Sequence, residues 1–266
     1  YHLAAQSYID FAFKDEFSTL NTNINGTHHL LSAIKEFSPK TKFYFAGSSE
    51  MFGKVRQVPQ NELTPFYPRS TYGISKVAGF ELTRYYREAY GLYCCSGILF
   101  NHESPRRGFE FVTRKITHSV ARIKFGLQKK IKLGNLKSKR DWGHAKEFVD
   151  AQWKILQYKT PDDFVIATGK NYSVKDLVNL VLKKLKIKYL WKKDKKGYEY
   201  AIAQNDIGQI KKSQIIIKQE KIYFRPNEVH NLVGDYRKAT KLLKWKPKIK
   251  FDRLISEMID SDLKNI

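Results

Sequence analysis

The sequence predicts an α/β fold built on a parallel sheet, and three observations carry that expectation. Residues 42–48 and 94–101 are short apolar runs bounded by polar residues, the pattern of strands buried on both faces. Residues 72–90 between them have the length and composition of a helix, and Gly91 is well placed to cap its C-terminus. Strand, helix and strand at this spacing make a βαβ unit, whose two strands run parallel.

The remaining elements follow in order. Residues 1–7 read as a strand end and its loop. Residues 24–37 carry Leu30, Leu31, Ile34 and Phe37 at helical spacing. Thr64-Pro65-Phe66-Tyr67-Pro68 is a loop, because prolines at this density cannot occupy a helix interior. Residues 113–126 form a helix and 129–133 a short strand, with a turn at Gly134-Asn135. A further strand spans 164–168. Ser173 caps a helix over 174–185, with Asp176 at the capping-box position. The Lys-rich stretch 186–221 is expected to be irregular.

At 266 residues, 42% hydrophobic and 28% charged, the chain is long enough for one large domain or two intimate ones. No apolar run approaches the ~18 residues of a membrane span, and no signal peptide is recognisable. The net charge is +23. The lysines are spread along the chain, and no nucleic-acid-binding motif accompanies them, so a lysine-rich composition explains the charge better than a nucleic-acid partner does. A basic protein also suits a diphosphate substrate. Cys94 and Cys95 are adjacent in a strand pattern and read as buried small hydrophobes, which fits a reducing compartment. The histidines and cysteines lack metal-ligand spacing, so no metal is expected. Trp142 and Trp153 read as core residues.

The chemistry concentrates between residues 48 and 76. The 42–48 strand ends in Ser48-Ser49-Glu50, and Tyr72 and Lys76 stand four residues apart, on one face of a helix. An ammonium beside a phenol favours the phenolate, and a tyrosinate can take the proton of an alcohol near neutral pH. The spacing alone also fits an ordinary exposed pair. The company of Ser48, Glu50 and Asn101-His102 strengthens the functional reading, because all lie at strand carboxyl ends, where active residues of such sheets gather. No two glycines lie closer than six residues, so the G-x-G-x-x-G turn of a dinucleotide-binding first strand is not in this sequence. With its opening on Tyr1-His2-Leu3, the chain therefore reads as a truncated Rossmann-type sheet in which the first βαβ units are missing.

Several blocks together are more specific. Leu3-Ala4-Ala5-Gln6-Ser7, Ser49-Glu50-Met51-Phe52-Gly53, Thr64-Pro65-Phe66-Tyr67-Pro68-Arg69-Ser70, Asn101-His102-Glu103-Ser104-Pro105-Arg106-Arg107-Gly108, Phe111-Val112-Thr113-Arg114-Lys115-Ile116, Arg140-Asp141-Trp142-Gly143-His144-Ala145 and Tyr223-Phe224-Arg225-Pro226 stand in sequence order. In these blocks the chain resembles the GDP-mannose 4,6-dehydratase family of extended short-chain dehydrogenases/reductases, over nearly its whole length.

The resemblance implies a lyase that converts GDP-mannose to GDP-4-keto-6-deoxy-mannose and water, a step of GDP-fucose biosynthesis. The chemistry is oxidation at C4 with NADP, elimination across C5–C6 and reduction at C6. It implies Tyr72 as base with Lys76, Glu50 as the acid/base of the elimination, and Ser48 on the C4 oxygen. Cofactor contacts carry over to Leu3, Ala4, Ala5, Ser7, Tyr72, Lys76, His102 and Arg107. Substrate contacts carry over to Ser48, Glu50, Asn101, Thr113, Lys115, Asn135, Arg140, Arg225 and Glu228. Ser48 departs from the family's usual threonine and is freer at χ1. The resemblance further implies an NADP-binding Rossmann domain at 1–168 and a smaller, mainly substrate-binding lobe at 169–266, with 102–138 contributing to the substrate site. It implies a cytoplasmic homodimer or homotetramer with neither nucleic-acid nor membrane partner. Another nucleotide-sugar epimerase or reductase, or an inactive basic binding protein, is the alternative. Without a glycine turn, residues 1–266 alone are expected to bind NADP+ poorly and to be inactive.

Overall fold

The structure, a computed structural model, describes residues 1–224, 227–229 and 231–266. Two compact units interleave along the chain. The first is built from 1–102, 140–171 and 229–248, the second from 103–139, 172–228 and 249–266. The division expected from the sequence at residue 168 concerns cofactor and substrate rather than these compact units.

The first unit is organised by a parallel sheet of three strands in the order Phe43–Ser48, Cys94–Leu99, Asp163–Ile166. Successive side chains of a strand point to opposite faces, and the core divides accordingly. Phe43, Phe45, Cys94, Ile98 and Val165 pack on one side. Tyr44, Cys95, Leu99, Phe164 and Ile166 pack on the other. Leu31 of helix Gly26–Phe37 and Phe80 of helix Thr71–Tyr90 cover the first face, and Phe148 and Ile155 of helix Ala145–Gln157 cover the second. Both cysteines are buried and free. The parallel α/β sheet expected from the βαβ spacing is therefore present. Gly91 ends the long helix in the left-handed region at φ 64°, as a C-cap glycine does.

Residues 1–7 keep one ladder contact of the expected strand. His2 bridges Phe45 in parallel, its N–H donating to the Tyr44 carbonyl at 2.8 Å. Trp142 is buried as expected, but Trp153 is not. Helix Ala145–Gln157 buries Phe148, Ala151, Gln152 and Ile155, and Trp153 falls off that stripe, 55% exposed.

The second unit corrects the reading of 186–221. That stretch supplies Tyr189–Lys193, Glu199–Ala203 and Ile215–Gln219, strands of a four-stranded sheet completed by Ile131–Leu133. Ala201 and Ala203 are the buried positions of strand Glu199–Ala203, paired with Trp191 and Tyr189. Alanine in the inward positions and lysine among the outward ones mask the alternation that marks a half-buried strand. Helices Val112–Lys124, Val174–Lys184 and Phe251–Lys264 also belong to this unit. Ser173 and Asp176 form the expected capping box: each side chain accepts the other's backbone N–H, at 3.0 and 2.8 Å. Among the described residues, no helix is long and apolar enough to cross a membrane.

Candidate active site

Tyr72 stands in the first turn of helix Thr71–Tyr90, which Ser70 caps by accepting the Gly73 N–H at 3.0 Å. The helix start approaches the Ser48–Glu50 segment so closely that a Cβ on Gly73 would lie 2.9 Å from the Glu50 carbonyl oxygen. Only glycine permits that approach, which brings the Tyr72 turn to the carboxyl end of strand Phe43–Ser48.

Lys76, one turn on, is 5% exposed. Its Nζ donates to the Ala46 carbonyl at 2.9 Å and lies 5.9 Å from the Tyr72 ring centre. Burial lowers its pKa from 10.5 to about 8, because desolvation disfavours the ammonium. Ser48 Oγ accepts the Glu50 N–H at 3.2 Å. The Glu50 carboxylate lies 3.7 Å from Arg140 Nε, and Arg140 Nη1 donates to the Val229 carbonyl at 2.6 Å. Of the predicted residues of this unit, Tyr72 with Lys76 and Glu50 with Arg140 are brought together as pairs.

His102 is held by a 2.9 Å contact between Nδ1 and the Phe100 carbonyl, and its ring stacks on Phe148 at 4.8 Å. Asn101 is half-buried beside it. Leu3, Ala4 and Ser7 are exposed and Ala5 half-buried, in the loop after the His2 bridge. That bridge is parallel, so the loop leaves the sheet at its carboxyl end.

One residue passed over in the sequence ties this loop to helix Thr71–Tyr90. Asn23 is buried in a π-helical turn, Asn21–Asn25, a distortion common at functional sites. Its Oδ1 accepts the Gln6 N–H at 2.7 Å, and its Nδ2 donates to the Gln6 carbonyl at 3.1 Å and to Ser75 Oγ at 2.9 Å. Asn23, between Asn21 and Asn25 and just before the helical pattern of 24–37, gives no sequence signal that sets it apart. Asp141 also went unremarked. Its carboxylate accepts from Thr168 N and Oγ1, Gly169 N and Gly234 N at 2.6–3.3 Å.

In the second unit, Thr113 Oγ1 donates to Glu103 Oε2 at 2.6 Å, and Arg107 Nε lies 3.3 Å from the same oxygen. Burial raises the Glu103 carboxyl above its usual range, and Arg107 and Thr113 oppose that shift. Lys115 Nζ sits 4.6 Å over the Tyr223 ring. Asn135 Oδ1 accepts the Lys137 N–H at 2.9 Å, and Gln219 donates to the Gly134 carbonyl at 3.0 Å. Glu228 is half-buried, and Arg225 lies outside the described residues.

Comparison with known proteins gives a consistent likeness. A sequence model of the family GDP-mannose 4,6 dehydratase matches residues 1–258. The chain is 47% identical over 265 residues to GDP-mannose 4,6 dehydratase 2 of Caenorhabditis elegans, covering 99% of this chain and 67% of that protein. It is 46% identical over 268 residues to GDP-mannose 4,6-dehydratase of Vibrio cholerae, covering 99% and 72%. Among solved structures, RMD from Pseudomonas aeruginosa complexed with NADPH superposes with a TM-score of 0.79 at 22% identity, over 98% of this chain and 80% of that one, a likeness of fold.

Proposed function

Since the chain belongs to the GDP-mannose 4,6-dehydratase family, we propose that it is an NADP-dependent hydro-lyase converting GDP-mannose to GDP-4-keto-6-deoxy-mannose. The observation that carries this reading is the buried Lys76 beside Tyr72, at the same sheet end as Glu50.

The residues present fit the nicotinamide end of a cofactor. An ammonium has three N–H donors, and the Ala46 carbonyl takes one of those on Lys76. Tyr72, Lys76 and His102 would hold the nicotinamide riboside, with Leu3, Ala4, Ala5 and Ser7 alongside, and Arg107 would take a phosphate. The bound nicotinamide would supply the redox chemistry, accepting a hydride and later returning it.

The chain's own residues do the rest. Tyr72, with the Lys76 ammonium one turn away to favour its phenolate, takes the proton of the C4 hydroxyl while Ser48 hydrogen-bonds that oxygen. The C4 ketone acidifies the C5 hydrogen. Glu50 removes that proton and delivers one to the departing C6 hydroxyl, which leaves as water. Arg140 fixes the Glu50 carboxylate. Asn101, Thr113, Lys115, Asn135, Arg225 and Glu228 would bind the sugar nucleotide, and arginine suits its diphosphate. In this reading residues 1–168 serve the cofactor and 169–266 mainly the substrate, in a cytoplasmic homodimer or homotetramer. An epimerase or a reductase of the same fold has no use for a carboxylate at position 50.

The test is incubation of the protein, expressed from its complete coding sequence, with NADP+ and GDP-mannose deuterated at C4. The expected product has lost one water and carries the deuterium at C6. Unchanged substrate, or a C4 epimer of unchanged mass, would overturn the proposal.

A further inference from the structure

We infer that Glu103 is a positioning residue that aims two ligand-binding side chains at once, Arg107 and Thr113. The inference rests on the proposed roles of those two residues, the first toward a cofactor phosphate and the second toward the sugar nucleotide.

Three observations carry it. Glu103 is 2% exposed, and a buried carboxylate persists only where partners compensate it. Its partners here are two side chains assigned to ligands, and both meet the same oxygen, Oε2. Finally, the two contacts differ in kind. Thr113 makes a short, aligned hydrogen bond of 2.6 Å. Arg107 Nε, at 3.3 Å, is a buried nitrogen without a hydrogen-bond partner, so its tie to Glu103 is one of charge. The guanidinium carbon sits over the Phe111 ring, 3.5 Å from its centre, so aromatic face and charge together hold the group.

The two ties can therefore be cut separately. Glu103→Gln keeps a carbonyl oxygen for the Thr113 hydroxyl but removes the charge that holds Arg107. Thr113→Val cuts the other tie and leaves the charge pair. Glu103→Asp keeps the charge on a shorter arm.

Parent and variants, expressed from the complete coding sequence, are compared in KM for both ligands and in kcat, and the crystal structure of Glu103→Gln is determined. The expectation for Glu103→Gln is a rise of about tenfold in KM for NADP+, the scale of one charge-assisted contact. KM for GDP-mannose and kcat should stay within about twofold of the parent. Thr113→Val should show the reverse split, and Glu103→Asp should recover part of the NADP+ affinity. The crystal structure should show Arg107 off the Phe111 face with Thr113 in place. Equal losses in both KM values and kcat would mark Glu103 as a packing residue and overturn the inference, as would an Arg107 that has not moved. Inactivity of the parent toward GDP-mannose, with Arg107 displaced in Glu103→Gln, would overturn the proposed function and leave the positioning role standing.

Discussion

Arg140 Nε lies 3.7 Å from Glu50 Oε1, and the same guanidinium is tied to the Val229 carbonyl through Nη1 at 2.6 Å. A carboxylate held this way stays in one place through a reaction, which an acid/base that must serve two atoms in turn requires. In the proposed mechanism the chemistry divides between this carboxylate and the Tyr72–Lys76 pair, and the division can be measured.

Glu50→Gln should spare the oxidation and block the elimination. The amide keeps the size of the side chain and can neither take the C5 proton nor deliver one to the C6 oxygen. Loss of general acid–base help typically costs ~10²–10⁴ in rate. The measurement is product analysis by mass, with C5 exchange from deuterated water as a second readout. Formation of the 6-deoxy product at the parent rate would remove Glu50 from the mechanism.

Tyr72→Phe should abolish the first step instead. Tyr72 is 9% exposed, so the phenyl ring preserves the packing while the proton acceptor disappears. A fall of ~10²–10⁴ in single-turnover formation of reduced cofactor is expected. Activity within a few-fold of the parent would assign the base elsewhere.

How far these residues could be read from the sequence follows from their physics. The first unit's sheet was legible because its strands are continuous apolar runs with a capped helix between them, a local signal. Tyr72 and Lys76 were legible because helical spacing alone puts them on one face. Asn23 was not, since its function lies in hydrogen bonds to Gln6 and Ser75, distant in sequence. Strand Glu199–Ala203 was missed because its buried positions are alanines. Trp153 departs from its expected core place because the buried stripe of its own helix points elsewhere.

Lys76 predicts a pH dependence of stability. Its folded pKa is depressed to about 8 from 10.5 by burial. Between those values the unfolded chain holds a proton that the native state has released, so stability rises with pH across that window. The rise amounts to about 3 kcal/mol at 1.36 kcal/mol per unit. Below pH 8 the full cost of burying the ammonium is present. Lys76→Met, of similar length and without a proton to exchange, should lose this rise in urea titrations at pH 7 and pH 10.5. A variant whose stability follows the parent's across that range would show that Lys76 is not the group responsible.

Asp141 makes the last prediction, one about stability alone. Its two oxygens receive the Thr168 N–H and hydroxyl, the Gly169 N–H and the Gly234 N–H, and it is fully buried. Every neighbour is a donor. Asp141→Asn therefore turns an amide N–H₂ toward a backbone N–H in either orientation of the side chain. A buried donor left unmet costs about 1–3 kcal/mol, so the urea midpoint should fall while the fold persists. The pH dependence should change as well. Burial raises the Asp141 pKa from 3.8 to about 6 against the pull of its donors. The native state thus holds the extra proton between those values, and the contribution of Asp141 to stability falls as pH rises through them. Asparagine has no proton to exchange, so that fall should vanish. Unfolding titrations of parent and variant at pH 4 and pH 7 check both effects. A variant as stable as the parent at pH 7 would mean that these four donors find other partners, and Asp141 would lose its place as the residue that joins Thr168, Gly169 and Gly234.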